Sequence, residues 1–280
     1  MPYTSVSLFS SAGVGDLALK HLPVDILVSC ELLEERHDIF QANFPATEAI
    51  TGDIWEVYPR VAEAAKRRLG NRELDILFAT PPCQGMSKNG RGKLLSEIRN
   101  GARPELDPRN RLILPTLKLA KLLHPKFLVL ENVPEMKDTM IIDEDGELIN
   151  IIDCIRKHLG GEYDGKAEVV EFANYGVPQR RQRLITVFTR LPAAKERLAN
   201  EGTLIPPPTH AEQPARNGLL PWVTVRDTIA ALPKLDAKTK ESATGALPYH
   251  SVPVLDADKY FWVSNTPAGR SAFDNQCVQC

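Results

Sequence analysis

What the chain lacks narrows its class first. No stretch approaches the roughly 18 consecutive apolar residues of a membrane span. The start Met1-Pro2-Tyr3 has neither a basic nor an apolar leader, so a soluble cytoplasmic protein is the expectation. Cysteine is scarce: Cys30, Cys83, Cys154, Cys277 and Cys280 are odd in number and scattered, which argues against a disulfide framework and suits free thiols in a reducing compartment. Neither sign of charge dominates. The formal net charge of -2 gives no global attraction to nucleic acid, and any polyanion-binding surface must be local. Internal repeats are absent. The 43% hydrophobic and 25% charged residues over 280 positions are those of a globular chain with one large core or two modest ones.

Against this even background, the segment from Lys88 through Arg111 holds seven basic residues against only Glu97, Glu105 and Asp107. From charge alone it reads as a solvated loop. Apolar runs at Ser5–Phe9, Ile26–Cys30, Leu74–Ala79, Phe127–Leu130 and Leu184–Phe188 predict strands. Between them, three- and four-residue apolar spacing predicts helices at Val14–Leu22, Leu33–Asn43, Val57–Leu69, Leu112–Leu123 and Ile149–Leu159. Such alternation predicts an α/β fold, a doubly wound and mostly parallel sheet covered on both faces. The reading divides the chain into a catalytic domain over 1–190, a proline-marked connector over 191–235 with one short helix at Val225–Leu232, and the start of an incomplete region over 236–280. A truncated or split polypeptide is the expectation.

Four segments have the residue types that chemistry needs. Phe9-Ser-Ser-Ala-Gly13-Val-Gly15 follows the first strand, where glycines let backbone approach a nucleotide. Glu31 after the second strand could accept ribose hydroxyls, and Asp53 after Gly52 an adenine amino group. The spacing is not G-x-G-x-x-G, so a nicotinamide enzyme fits poorly. Thr80-Pro-Pro-Cys83-Gln84-Gly85 stops a strand and presents Cys83 on a fixed loop, although a cysteine taken alone is more often a small buried hydrophobe. Glu131-Asn132-Val133 puts a carboxyl at another strand end, where apolar neighbours would raise its pKa; alone it would read as a helix cap or turn. Gln179-Arg180-Arg181-Gln182-Arg183 precedes the last strand, and alternation would aim Arg181 and Arg183 to one side and Arg180 to the other. A surface basic cluster is the plain alternative there.

Together and in this order, these segments resemble the DNA (cytosine-5)-methyltransferase family over roughly residues 5–235. The resemblance implies a Rossmann-like fold, S-adenosyl-L-methionine as methyl donor and double-stranded DNA as partner. It makes Cys83 the thiolate that adds to cytosine, Glu131 the group on the ring nitrogen, and Arg183 the holder of the carbonyl oxygen with Arg181 in support. For the cofactor it implies Phe9, Ser11, Ala12, Gly13, Glu31, Leu32, Asp53, Ile54 and Pro81. Gln84, Ser87, Lys88 and Arg91 would meet nucleic acid on a mobile loop, which gives the local basic excess a purpose. Two departures stand out. Ser11 replaces the first glycine of Phe-x-Gly-x-Gly, at a cost of about 1 kcal/mol if positive φ is needed there. No Gly-Asn-[Ser/Ala]-Val segment occurs, so a second chain or a further segment is expected to supply target recognition and the rest of the cofactor pocket. Cys277-Val-Gln-Cys280 has the spacing of half a zinc site; otherwise no metal is expected. Methylation of transfer RNA by the same residues, and a non-catalytic binding subunit, are the alternatives.

Overall fold

The computed structural model describes residues 2–82, 107–214, 218–238 and 250–275, which divide into two compact units, Met1–Trp222 and Val223–Cys280. Residues 191–222 therefore cluster with the first unit. Its sheet has seven strands: β1 (Tyr3–Leu8), β2 (Val24–Glu31), β3 (Glu48–Thr51), β4 (Ile76–Ala79), β5 (Phe127–Asn132), β8 (Asp164–Glu171) and β9 (Gln182–Thr189), while β6 (Met140–Ile142) and β7 (Leu148–Asn150) form a separate hairpin. The sheet order is β3-β2-β1-β4-β5-β9-β8, parallel from β3 to β5, with β9 antiparallel to both its neighbours.

Burial explains why the central strands were readable. Val6, Leu8, Val28, Leu77, Ala79, Leu128 and Leu130 are all 0% exposed on one face. Over that face pack α3 (Ile54–Leu69), α4 (Ile113–Leu123) and α5 (Ile151–Leu159), whose Val61, Ala65, Leu114, Leu117 and Ile155 are buried in the same cluster. Each begins or ends where local chemistry dictates. Asp53 caps α3 by accepting from the Trp55 amide at 3.0 Å, and Asn150 caps α5 by accepting from Ile152 at 2.9 Å. The hairpin is pinned to α5 by Asp143, whose two oxygens bond His158 and Lys157 at 2.8 Å each. Lys121 approaches the other His158 nitrogen at 3.0 Å. On the side of β1 and β2 lie α1 (Leu17–Lys20) and α2 (Glu34–Asn43). Beyond β9 runs α6 (Pro192–Glu201).

The helix expected over Val14–Leu22 is a single turn. Gly13 and the backbone bonds Asp16 to Gly13 at 3.0 Å and Gly13 to Ser10 at 2.8 Å keep the preceding residues in tight turns, and Val14 is 74% exposed. Asp16, just after them, is 1% exposed, and burial pushes its carboxyl from 3.8 up to about 6, only partly offset by the Ser7 hydroxyl. With a folded pKa above the unfolded one, its stabilising contribution is complete below pH 3.8 and is lost as pH rises through about 6. Ionised Asp16 therefore costs up to about 3 kcal/mol. Asp16→Asn is expected to gain stability over the parent at pH 8 and to lose that gain at pH 4, as read by urea unfolding at both values. An equal difference at the two pH values would sink this account.

The second unit contains α7 (Val225–Ile229), closed by a reciprocal Thr224–Asp227 capping box, and α8 (Ala257–Ser264), capped by Asp256. Neither helix has a buried residue, and Trp262 and Val263 are 51% and 63% exposed. Among the described residues, no helix is long and apolar enough to cross a membrane.

Candidate active site

The strand order reverses between β1 and β4, and a crevice opens beyond the carboxyl ends of strands on either side of such a point. There lies a cavity of about 560 Å³, within the size range of small-molecule sites. Phe9 and Ser11 reach it from the loop after β1, Glu31 from the end of β2 and Leu32 from just beyond it, Asp53 from the loop after β3 and Ile54 from the start of α3, and Thr80 and Pro82 from the loop after β4. Six of the nine cofactor residues expected from sequence thus converge on one cavity. The other three do not border it. Pro81 is buried and Pro82 takes the place beside the cavity. Ala12 and Gly13 form the turn behind it, where a Cβ on Gly13 would fall 2.8 Å from the Phe40 ring and 2.9 Å from Phe44.

The turn after β1 is held in an unfavourable conformation. Phe9 has φ 57° and Ser11 φ 47°, the left-handed region that L residues avoid. Glu31, 7% exposed, fastens the turn: one carboxylate oxygen accepts from the Ser11 amide at 2.9 Å, the other from the Leu33 amide at 3.1 Å. Each oxygen keeps a second lone pair. A ribose bearing two hydroxyls, and an adenine amino group at Asp53, match these acceptors, and the apolar side chains of Phe9, Ile54 and Trp55 match a purine ring. Ser11→Gly removes the strain and leaves the amide bond to Glu31 intact. The variant is expected to be more stable by up to about 1 kcal/mol in urea; a less stable variant would contradict strain at Ser11.

Several residues of the wall escaped the sequence reading: Leu33, Arg36, Trp55, Pro108, Arg109 and Leu112. The last three belong to Asp107-Pro-Arg-Asn-Arg-Leu, a short turn of helix capped by Asp107 at 2.9 Å from the Arg109 amide. An Asp-Pro start of this kind was the available signal, hidden inside what read as a basic loop.

A second group forms at the ends of β5 and β9. Glu131 Oε1 lies 2.8 Å from Arg183 Nε, both side chains partly buried. The neighbour found beside Glu131 is thus a guanidinium rather than an apolar wall. Asn132, 3% exposed, donates through Nδ2 to the Pro81 carbonyl at 3.0 Å. The same loop is held from the other side by Thr80, whose hydroxyl donates to the Phe9 carbonyl at 3.0 Å. The segment leading into Cys83 is therefore fastened to both the cavity's turn and the strand bearing Glu131. Strand alternation does not extend to Arg181, because β9 begins at Gln182; its backbone amide binds Glu171 at 2.7 Å and its side chain is exposed. Arg180 turns away to Glu212 at 3.5 Å and over the Trp222 ring at 5.1 Å.

Cys83, Gln84, Ser87, Lys88, Arg91, Cys277 and Cys280 lie outside the described residues. The two described cysteines make poor nucleophiles: burial pushes the thiols of Cys30 and Cys154 up to about 12, aided by nearby carboxylates.

Comparison with known proteins places this geometry. The family described as C-5 cytosine-specific DNA methylase matches residues 3–247. The type II methyltransferase M1.HgaI of Avibacterium volantium is 31% identical over 273 residues, covering 96% of this chain and 67% of the relative. The type II methyltransferase M1.HphI of Haemophilus parahaemolyticus is 29% identical over 239 residues, 85% of this chain and 55% of the relative. A crystal structure of a DNA modification methyltransferase encoded within an E. coli prophage shares the fold, with a TM-score of 0.57 at 21% identity over 84% of this chain and 57% of that one. Matching in sequence from the first strand through the two strand-end groups, the chain belongs to the C-5 cytosine-specific DNA methylase family, whose methyl donor is S-adenosyl-L-methionine.

Proposed function

We propose that this chain carries the catalytic centre of a type II DNA (cytosine-5-)-methyltransferase of a restriction-modification system, working in the cytoplasm. The observation that carries the reading is the joint anchoring of the Pro81-Pro82 loop by Asn132 and Thr80 beside the Glu131–Arg183 pair. It holds Thr80 and Pro81, shortly before Cys83 in sequence, near the strand that bears the acid.

Carbon 5 of cytosine is a poor nucleophile. Addition of the Cys83 thiolate to carbon 6 would make the ring electron-rich at carbon 5. Negative charge moves into the ring as the bond forms, and Glu131 would protonate or hydrogen-bond the ring nitrogen while Arg183 holds the carbonyl oxygen. Arg181 would support that cluster. The donor, when bound, would supply the methyl group to carbon 5 and be left as its thioether; loss of the carbon 5 proton to a water base, with the ring nitrogen's proton returning to Glu131 as the Cys83 thiolate is expelled, would restore the ring. For the donor, Phe9 and Ile54, with Pro82 in place of Pro81, would flank the adenine, Asp53 its amino group and Glu31 the ribose, with Leu32 alongside and Ser11, Ala12 and Gly13 near the methionine end.

A base stacked in a duplex cannot present its face to a cysteine, so it must be extruded at a cost of a few kcal/mol. Gln84, Ser87, Lys88 and Arg91 would hold the opened DNA. We assign residues 1–190 to catalysis, 191–235 to a connector and 236–280 to the beginning of target recognition. The chain spans 67% and 55% of the length of the two relatives above. Target choice is assigned to polypeptide of the kind that fills the remainder, in the same chain or a second one.

The test supplies such a segment and measures tritiated methyl transfer to duplex DNA and to transfer RNA side by side. Labelling of DNA at carbon 5 of cytosine is expected; labelling of RNA alone would remove the DNA assignment.

A further inference from the structure

Two of the strands whose ends form the donor cavity, β2 and β3, are joined by one buried side chain. His37 of α2 is 2% exposed, with Nε2 2.7 Å from the Ser29 hydroxyl of β2 and Nδ1 2.8 Å from the Thr51 hydroxyl of β3. Ser29 stands two residues before Glu31 on the same strand, and Thr51 two residues before Asp53. Glu31 and Thr51 are themselves register partners. The His37 ring also meets the edge of Phe40 at 5.8 Å; Phe40 stacks on Phe44 at 4.7 Å, and the pair presses on Gly13 of the turn after β1.

We propose that His37 is a positioning residue for the methyl donor, a strut that fixes the spacing between the Glu31 and Asp53 carboxylates. Packing alone does not call for histidine here: a buried aromatic or aliphatic residue of similar size fills the space without a demand for partners. What imidazole adds is two hydrogen-bonding atoms on a rigid ring, a fixed length between strands that a flexible side chain does not hold. Burial lowers its pKa, against the pull of Glu31 and Asp38, which favours the neutral ring with one donor and one acceptor nitrogen. Ser29 and Thr51 hydroxyls can take either complementary role. Displacement of either strand end would then misplace a carboxylate relative to the ribose or the adenine amino group without removing either one.

The inference rests on the assignment of the cavity to S-adenosylmethionine. The test measures the dissociation constant of S-adenosylmethionine by titration calorimetry on the full chain completed with the segment supplied in the test above, with unfolding temperature in parallel, for the parent, His37→Phe, His37→Gln and Thr51→Val. His37→Phe and Thr51→Val are each expected to weaken binding about tenfold. His37→Gln, which keeps one polar arm, is expected to recover part of the loss. A purely structural His37 would lower the unfolding temperature and leave the constant alone. If His37→Phe does not fold, Thr51→Val, on a solvent-exposed side chain, and His37→Gln decide the matter. Unchanged binding in these variants beside a parent that binds overturns the strut alone. A parent that does not bind at all overturns the cavity assignment and the strut with it.

Discussion

Cys83→Ser is expected to lower methyl transfer by at least about 10⁴-fold. An alcohol is almost wholly un-ionised where a thiol is partly thiolate, and its oxygen is the poorer nucleophile toward a ring carbon. The effect is expected to be confined to chemistry. The loop before it is held by Thr80 and by Asn132, neither of which the substitution alters. S-adenosylmethionine binding should therefore stay at the parent's value while the covalent complex with duplex DNA containing 5-fluorocytosine disappears. Survival of that complex in Cys83→Ser would mean that the attacking atom lies elsewhere. Cys30 and Cys154 are poor substitutes, since burial pushes both thiols up to about 12.

Glu131→Gln is the second large effect, expected at about 10²- to 10⁴-fold in turnover. The amide keeps the shape of the acid but neither gives up a proton nor matches the charge of Arg183 at 2.8 Å. The loss should fall on turnover rather than on donor binding, because Glu131 is not part of the cavity wall. Pairing it with Arg183→Met supplies a sharper reading. If the two groups act on one base as a unit, the double variant should be little worse than Glu131→Gln alone. Fully multiplicative losses would show that they act separately.

Much of this site was legible because it sits at the ends of strands that share a wholly buried apolar face. Val6 and Leu8, Val28 and Cys30, Leu77 and Ala79, and Leu128 and Leu130 are apolar for a physical reason that the residues announce, and the chemistry-bearing residues follow each strand directly. The elements that escaped lack that signature. In β3 only Ile50 is fully buried, and β8 is an edge strand of mixed charge, half-exposed along most of its length. The helix Pro192–Glu201 has no buried residue and read as part of the connector. The antiparallel direction of β9 depends on β8 and the turns around it, which no local pattern encodes. Within the site, the carboxylates were legible from position and type. His37 was not, because a histidine inside an amphipathic helix reads as surface until Ser29 and Thr51 are brought to its two nitrogens.

The bond from Thr80 to the Phe9 carbonyl carries a consequence for the order of events. One end of that contact belongs to a turn that lines the cavity, the other to the residue three before Cys83. Whatever loads the first should be felt at the second, so occupancy by the donor and grip on the extruded base ought to be thermodynamically linked. Since linkage is reciprocal, whatever factor the bound donor adds to the affinity for DNA, bound DNA should add to the affinity for the donor.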